Sequence, residues 1–287
     1  MRQLLLAAYC LALSTSTVFA ADGVGVLILA HGGSGRWNQL VTETVAKANL
    51  SEPTQIAFGM GMHPQEVRAI QQAVDELQQH HVSRIVVVPL LISSSSEVMR
   101  QFEYLLRLRD HGPWEAHVKP VTVRLPITMT QPLDDDPVVS DVLLERAQRL
   151  SQIPEQEAVV VVAHGPTTDE DNVRWLEVMQ RLAARMKEQG HFRAVMPVTM
   201  RDDAPTPVQE QATRQMRELV RQSSTQGRTL VVPLLLATGG IEDKIPKRLH
   251  GLIYTYQATA LLPHPKLSQW IASRVRLSSA EPSVMIQ

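Results

Sequence analysis

The sequence predicts an α/β protein of two similar domains, each a mostly parallel sheet with helices on both faces. Three observations point there. The phrase Val-Leu-Ile-Leu-Ala-His31-Gly-Gly recurs as Val-Val-Val-Val-Ala-His164-Gly-Pro, and a second phrase, Val-Val-Pro-Leu-Leu, follows the second helical stretch after each copy, around Pro89 and Pro233. Between them, stretches of helical and strand character alternate with short connections, which argues for parallel strands joined by helical crossovers.

Each half reads in the same order. The run ending at Ala30 is continuously aliphatic, as a strand buried on both faces requires, and it stops at His31-Gly32. A helical stretch follows from Trp37 to Ala48, then a short strand from Gln55 to Met60. An amphipathic helix opens on Pro64 and runs to Gln79, Pro being suited to a first helical turn. The strand Arg84 to Ile92 comes next, then a helix from Glu97 through Leu106. Asp134-Asp135-Asp136-Pro137 forms a turn before a helix from Val138 to Leu150, its acids near the positive helix end. After His164 the order recurs as a helix from Asp171 to Gln189, a strand from Ala194 to Met200, a helix from Pro207 to Gln222 and a strand from Arg228 to Leu236.

The first residues stand apart. Met1-Arg2 gives a positive start, Leu4 to Leu13 an apolar core and Val18-Phe19-Ala20 a small-residue cleavage pattern, so 1–21 reads as a Sec-type signal peptide and the mature chain as periplasmic. The apolar run falls short of the roughly 20 residues that span a bilayer, so no membrane span is expected in the mature chain. Cys10, the single cysteine, lies in that segment, leaving the mature protein no disulfide, thiolate nucleophile or cysteine metal ligand. The domains are read as 22–150 and 151–277, with a disordered tail over 278–287.

At 287 residues and 44% hydrophobic the chain can build two cores, while a net charge of −1 and 4% aromatic residues supply neither the basic face nor the stacking platforms of a nucleic-acid binder. Small-molecule chemistry remains, and the strand-tip histidines are its best carriers. In an open parallel sheet the strand ends face a crevice into which the next helix points its positive N-terminus. Imidazole there can accept a proton or bind a transition metal. A histidine beside glycine at a strand end also serves as a plain turn residue, and the duplication of the phrase is consistent with either role.

The Ala-His-Gly strand, the Val-Val-Pro-Leu-Leu strand and the two-half organisation resemble the class II chelatases of the sirohydrochlorin cobaltochelatase and ferrochelatase type, over nearly the whole mature chain. The resemblance implies two chelatase-like domains that insert a divalent metal (cobalt, iron or nickel) into a tetrapyrrole without an organic cofactor. It implies that His31, and by repeat His164, binds the metal and accepts pyrrole protons, a task that suits a base titrating near the working pH. The partners implied are the tetrapyrrole and the metal ion; the oligomeric state is left open.

Two departures accompany the match. The family carries a further histidine in the loop after the Pro-Leu-Leu strand, whereas here the loops read Ile92-Ser93-Ser94-Ser95-Ser96-Glu97-Val98 and Ala237-Thr238-Gly239-Gly240-Ile241-Glu242-Asp243-Lys244-Ile245-Pro246. Ser95 or Glu97 stands in that place in the first half and Gly240 in the second. Glu97 is the residue of the first loop able to replace the ligand, and is taken with His31 as the working site; equally, an acid there favours a helix dipole. The serines suit an anionic ligand group or simple capping. Met60, Met62 and His63 are candidate lining of the same cleft, and Thr167 to Asn172 a capping loop whose acids lie close to His164. His80 and His81 suit a helix end, and His111, His117, His191, His250 and His264 receive no role. The missing histidines leave a second reading open, a non-catalytic carrier of metal or tetrapyrrole on the same fold. A third, a histidine phosphatase, lacks its arginine because Ala30 and Ala163 precede the histidines.

Overall fold

The computed structural model describes residues 23–60 and 62–280. The expected signal peptide lies outside the described residues, as do the last seven residues of the expected tail.

The first half runs β1 (Val24–Ala30), α1 (Gly35–Ala46), β2 (Thr54–Phe58), α2 (Pro64–Gln79), β3 (Arg84–Leu90), α3 (Glu97–Leu105), β4 (Ile127–Met129) and α4 (Pro137–Leu150). A short 3-10 turn at Pro154–Gln156 leads to the second: β5 (Ala158–Ala163), α5 (Asp169–Gly190), β6 (Ala194–Thr199), α6 (Thr206–Thr225), β7 (Thr229–Leu234), α7 (Lys244–Arg248), β8 (Thr255–Tyr256) and α8 (Pro265–Ala280). The strands form two sheets of order β2-β1-β3-β4 and β6-β5-β7-β8, parallel throughout. The expected α/β class and paired halves are therefore present. The β2-β1-β3 order puts β1 where the chain switches direction across the sheet, and β5 has the same place in the second; His31 and His164 thus follow the switch-point strands, where crevices open.

Alternation along each central strand feeds separate cores. Val26, Ile28 and Ala30 of β1 join Val159, Val161 and Ala163 of β5 in one buried cluster with α1, α4, α5 and α8. Leu27 and Leu29 face the opposite way onto α2 and α3, while Val160 and Val162 face residues of α6 and α7. The layers are helices, sheet, a shared helical layer, sheet, helices.

The shared layer is made by exchange. Helix α4 of the first half packs on β7 and α5, and α8 at the chain's end packs on β3 and α1. Leu267, Trp270, Ile271 and Val275 of α8 are buried there, Ser268 Oγ donates to Thr44 O at 2.9 Å, and Trp270 Nε1 donates to Asp136 Oδ2 at 2.9 Å.

Three expectations need correction. The strands expected to reach Ile92 and Leu236 stop at Leu90 and Leu234. Each sheet gains a fourth strand, β4 or β8, of three and two residues, too short to show a period of two. Residues 278–280 belong to α8, where Ser279 Oγ donates to Val275 O and Ser279 O accepts from Arg84 at 2.5 Å.

Candidate metal centre at the strand tips

Both histidines leave their strands by the same turn. Gly32 and Gly165 have φ of +81° and +77°, and a Cβ on either would lie 3.1 Å from Phe58 Cβ or 2.6 Å from Thr199 Cβ at the neighbouring strand tip. Glycine lets the chain turn there past the adjacent strand. The turn brings each imidazole onto the next carbonyl: His31 Nδ1 lies 2.7 Å from Gly32 O and His164 Nδ1 2.9 Å from Gly165 O. A carbonyl only accepts, so Nδ1 is the donor in each ring; in the neutral imidazole Nε2 keeps its lone pair, and in the imidazolium it donates as well.

That tautomer makes the surroundings of His164 informative. Its Nε2 lies 3.4 Å from Asp203 Oδ2. Two acceptors at this separation repel unless a cation, a proton or a metal, lies between them. Ligand atoms of His164, Asp202 and Asp203 all fall within 4.8 Å of one another. Asp203 is open to solvent, with its side chain 68% exposed, whereas the side chain of Asp202 is 8% exposed. The carboxyl of Asp202 is raised by burial, but Lys244 and the nearby Arg248 and His164 charges outweigh this and hold it below the usual range.

The backbone behind His164 is clamped. Arg201 sits in the left-handed region at φ +53°, its N–H donates to His164 O at 2.7 Å, and its buried guanidinium donates to Pro166 O, Thr167 O and Asp169. Thr199 Oγ1 donates to Asn172 Oδ1 at 2.6 Å. The acids of the Thr167–Asn172 segment are thereby engaged by arginines: Asp169 by Arg201, and Asp171 by Arg100 of the first half at 2.8 and 3.0 Å.

His31 is electrostatically coupled to this centre. Burial pushes its pKa below the ordinary value; the Gly32 carbonyl opposes that shift, the His164 charge adds to it, and Asp203 and Glu66 oppose it. Its ring stands 6.3 Å from Trp37, which packs edge-on to Phe58 at 6.4 Å and reaches Gly239 of the second half. On the other side of the joint, Trp175 Nε1 donates to Ser95 O at 2.8 Å. Each half's Pro-Leu-Leu loop thus meets a tryptophan from the first turns of the other half's leading helix.

The remaining sequence candidates lie elsewhere. Glu97 is in the first turn of α3, where its Oε1 accepts from Gln101 and Trp114 at 3.4 Å; among the described residues no hydrogen bond or ion pair joins it to either histidine. The serine loop is engaged internally, Ser96 capping α3, Ser93 Oγ accepting from Ser95 N and Ser94 donating to Asp134. Met60 is exposed, Met62 is buried, and His63 caps α2; the space beside both methionines is about 10 Å³, at the lower limit for a single water. Gly240 N and Gly239 N both donate to Glu242 Oε2 at 3.0 and 3.1 Å. A hollow of about 420 Å³ at Gln131–Pro137 and Arg274 contains neither histidine; its acids are bound by Ser94, Arg181, Trp270 and Arg274.

Asp202, Asp203 and Arg201 escape a motif search because the two halves differ there. The repeat itself carries the signal: the tip after β2 reads Gly59-Met60-Gly61-Met62, and its counterpart after β6 reads Met200-Arg201-Asp202-Asp203.

Comparison with known proteins agrees with this architecture. The CbiX family model matches residues 25–150 and again 158–278. The chain belongs to the CbiX family, in a two-repeat form. The chain is similar to SirB from Bacillus subtilis, solved with Fe3+, at 20% identity and TM-score 0.65, covering 90% of this chain and 96% of that one. It is similar to CbiX, the terminal enzyme of siroheme biosynthesis in denitrifying bacteria, at 17% identity and TM-score 0.55, covering 88% and 99%. DR2241 from Deinococcus radiodurans, a multi-domain protein with structural similarity to chelatases, matches at 16% identity and TM-score 0.56 over 91% of this chain and 55% of its own. At these identities the likenesses establish the fold. Among curated proteins none matches the chain in sequence. No helix among the described residues is long and apolar enough to cross a membrane.

Proposed function

We propose that this CbiX-family protein inserts a divalent metal (cobalt, iron or nickel) into a sirohydrochlorin-type tetrapyrrole in the periplasm, where the N-terminal signal would deliver it. The observation that supports the reading is the approach of His164 Nε2 to Asp203 Oδ2 at 3.4 Å within the His164–Asp202–Asp203 cluster, a nitrogen and a carboxylate oxygen close enough to share one cation, a proton or a metal. Nitrogen and oxygen donors together suit a borderline divalent ion. The metal here is a substrate, and the exposed carboxylate of Asp203 leaves it accessible to the macrocycle.

In this reading the halves divide the work. His164 and Asp203 hold the ion, while His31 accepts a proton. Insertion releases two pyrrole N–H protons as the metal–nitrogen bonds form, so a neutral imidazole with a free Nε2 is needed beside the ion. The lowered pKa of His31 keeps it neutral, and its proton passes on to water between the two transfers. Glu97 stays a member of the site only if the macrocycle moves it, since its present partners are Gln101 and Trp114.

A second reading, a carrier that binds metal or tetrapyrrole without turnover, is favoured by the closed second loop, where Glu242 is spent on the Gly239 and Gly240 amides. Metal insertion into sirohydrochlorin by the isolated protein, followed by the change in its absorption spectrum with Co2+, Fe2+ and Ni2+, separates the two. Turnover lost in His31→Ala and His164→Ala supports the enzyme. Tight His164-dependent Co2+ binding without turnover supports the carrier, and turnover that survives both substitutions contradicts the assignment of the histidines.

A further inference from the structure

We propose that Lys244 is a built-in competitor for the metal: its ammonium pairs with Asp202, the carboxylate that would otherwise be a further ligand, and so keeps the site weak enough to release its ion. The inference rests on the reading of His164 and Asp203 as the metal-holding pair and adds the reason that pair binds loosely.

Asp202 is geometrically part of the cluster, with a ligand atom inside the same 4.8 Å as those of His164 and Asp203. Neither of its oxygens is free. Lys244 Nζ holds Oδ2 at 2.5 Å and Arg248 holds Oδ1. The two cations differ in how they are fixed. Arg248 is 14% exposed, and its second amino group donates to Met200 O at 2.7 Å, which ties it to the β6 tip. Lys244 is 48% exposed, so its flexible stem can swing into solvent when an ion arrives.

The consequence is a choice between ligand sets. With Lys244 in place a metal meets His164, Asp203 and an adjacent positive charge that repels it. With Lys244 displaced, the same ion gains the Asp202 carboxylate and loses that repulsion. A metal cofactor kept for structure would gain from the larger set; a metal to be handed on is served by the smaller one.

Titration of Co2+ into the protein tests this by calorimetry. Lys244→Ala and Lys244→Gln are expected to bind Co2+ about tenfold tighter or more, on the scale of groups that tune a metal site. Lys244→Arg, which keeps the charge, should stay near the wild-type affinity, and Asp202→Asn combined with Lys244→Ala should cancel the gain. Unchanged or weaker binding in both neutral variants overturns the competitor role while His164→Ala still abolishes binding. If Co2+ binding is indifferent to His164→Ala, the metal-holding pair itself is wrong.

Discussion

His164 Nε2 approaches Asp203 Oδ2 to 3.4 Å at the joined tips of β5 and β6, while its other ring nitrogen is committed to Gly165 O. The corresponding histidine of the first half repeats the carbonyl contact, and the tip beside it carries exposed Met60 and buried Met62 where the second half has Arg201 and Asp203. In the proposed reading, two copies of one strand-tip device have diverged, the second toward holding a cation and the first toward a neutral base.

The divergence predicts a division of kinetic effects. His31→Ala should lower kcat for metal insertion on the order of 100-fold or more, as loss of a general base does, with little change in Co2+ affinity. His164→Ala and Asp203→Asn should weaken Co2+ binding, measured by calorimetry in the absence of tetrapyrrole.

The pH dependence follows from the burial of His31. Its native pKa lies below the ordinary 6.5, so in the window under 6.5 the unfolded chain binds a proton that the native chain refuses. His31 therefore costs stability as pH falls from 6.5 through its native pKa, and has no effect above that window. Denaturant melts at pH 7.5 and 5.5 should show a smaller acid loss for His31→Gln than for wild type, and the His31 resonances should titrate with a midpoint under 6.5.

Gly165→Ala should be poorly tolerated. A Cβ there would sit 2.6 Å from Thr199 Cβ at φ +77°, a penalty of about 1–3 kcal/mol in the segment that aims His164. Thermal unfolding and Co2+ titration of the variant should both record it, whereas Gly35→Ala, with nothing within 4 Å, should leave both near wild type.

The joint between halves predicts a third stability effect. Burial raises the Asp171 carboxyl, but the hydrogen bonds and charge of Arg100 outweigh it and leave its pKa below the usual range. Its stabilising contribution is therefore present above the ordinary carboxylate pKa and is lost as pH falls through the native value. Asp171→Asn should cost about 1–3 kcal/mol in urea unfolding at pH 7, and Trp270→Ala, which empties a buried site on the exchanged helix α8, about 3–5 kcal/mol.

Much of the fold was legible because it rests on local signals: continuous aliphatic runs for β1, β3, β5 and β7, Pro64 at the start of α2, and a repeat that doubles every observation. The exchange of α4 and α8 was not, since an amphipathic helix records that it has a buried face and leaves the partner sheet unspecified. The strands β4 and β8 are too short to carry a pattern. At the site, His31 and His164 were legible from a strand ending abruptly in His-Gly. Asp203 was not, because its approach to His164 is made through space, from the tip of the neighbouring strand. Glu97 drew attention by its chemistry and its place in the loop, yet in the folded chain its carboxylate is turned to Trp114 and Gln101.

The central claim is that a divalent ion belongs between His164 and Asp203. Titration of Co2+ into the wild-type protein, read by the visible absorption of the bound ion, tests it most directly. The account predicts a single ion per chain with imidazole in its coordination sphere, lost in both His164→Ala and Asp203→Asn. Binding of Co2+ that is unchanged in these two variants would contradict it.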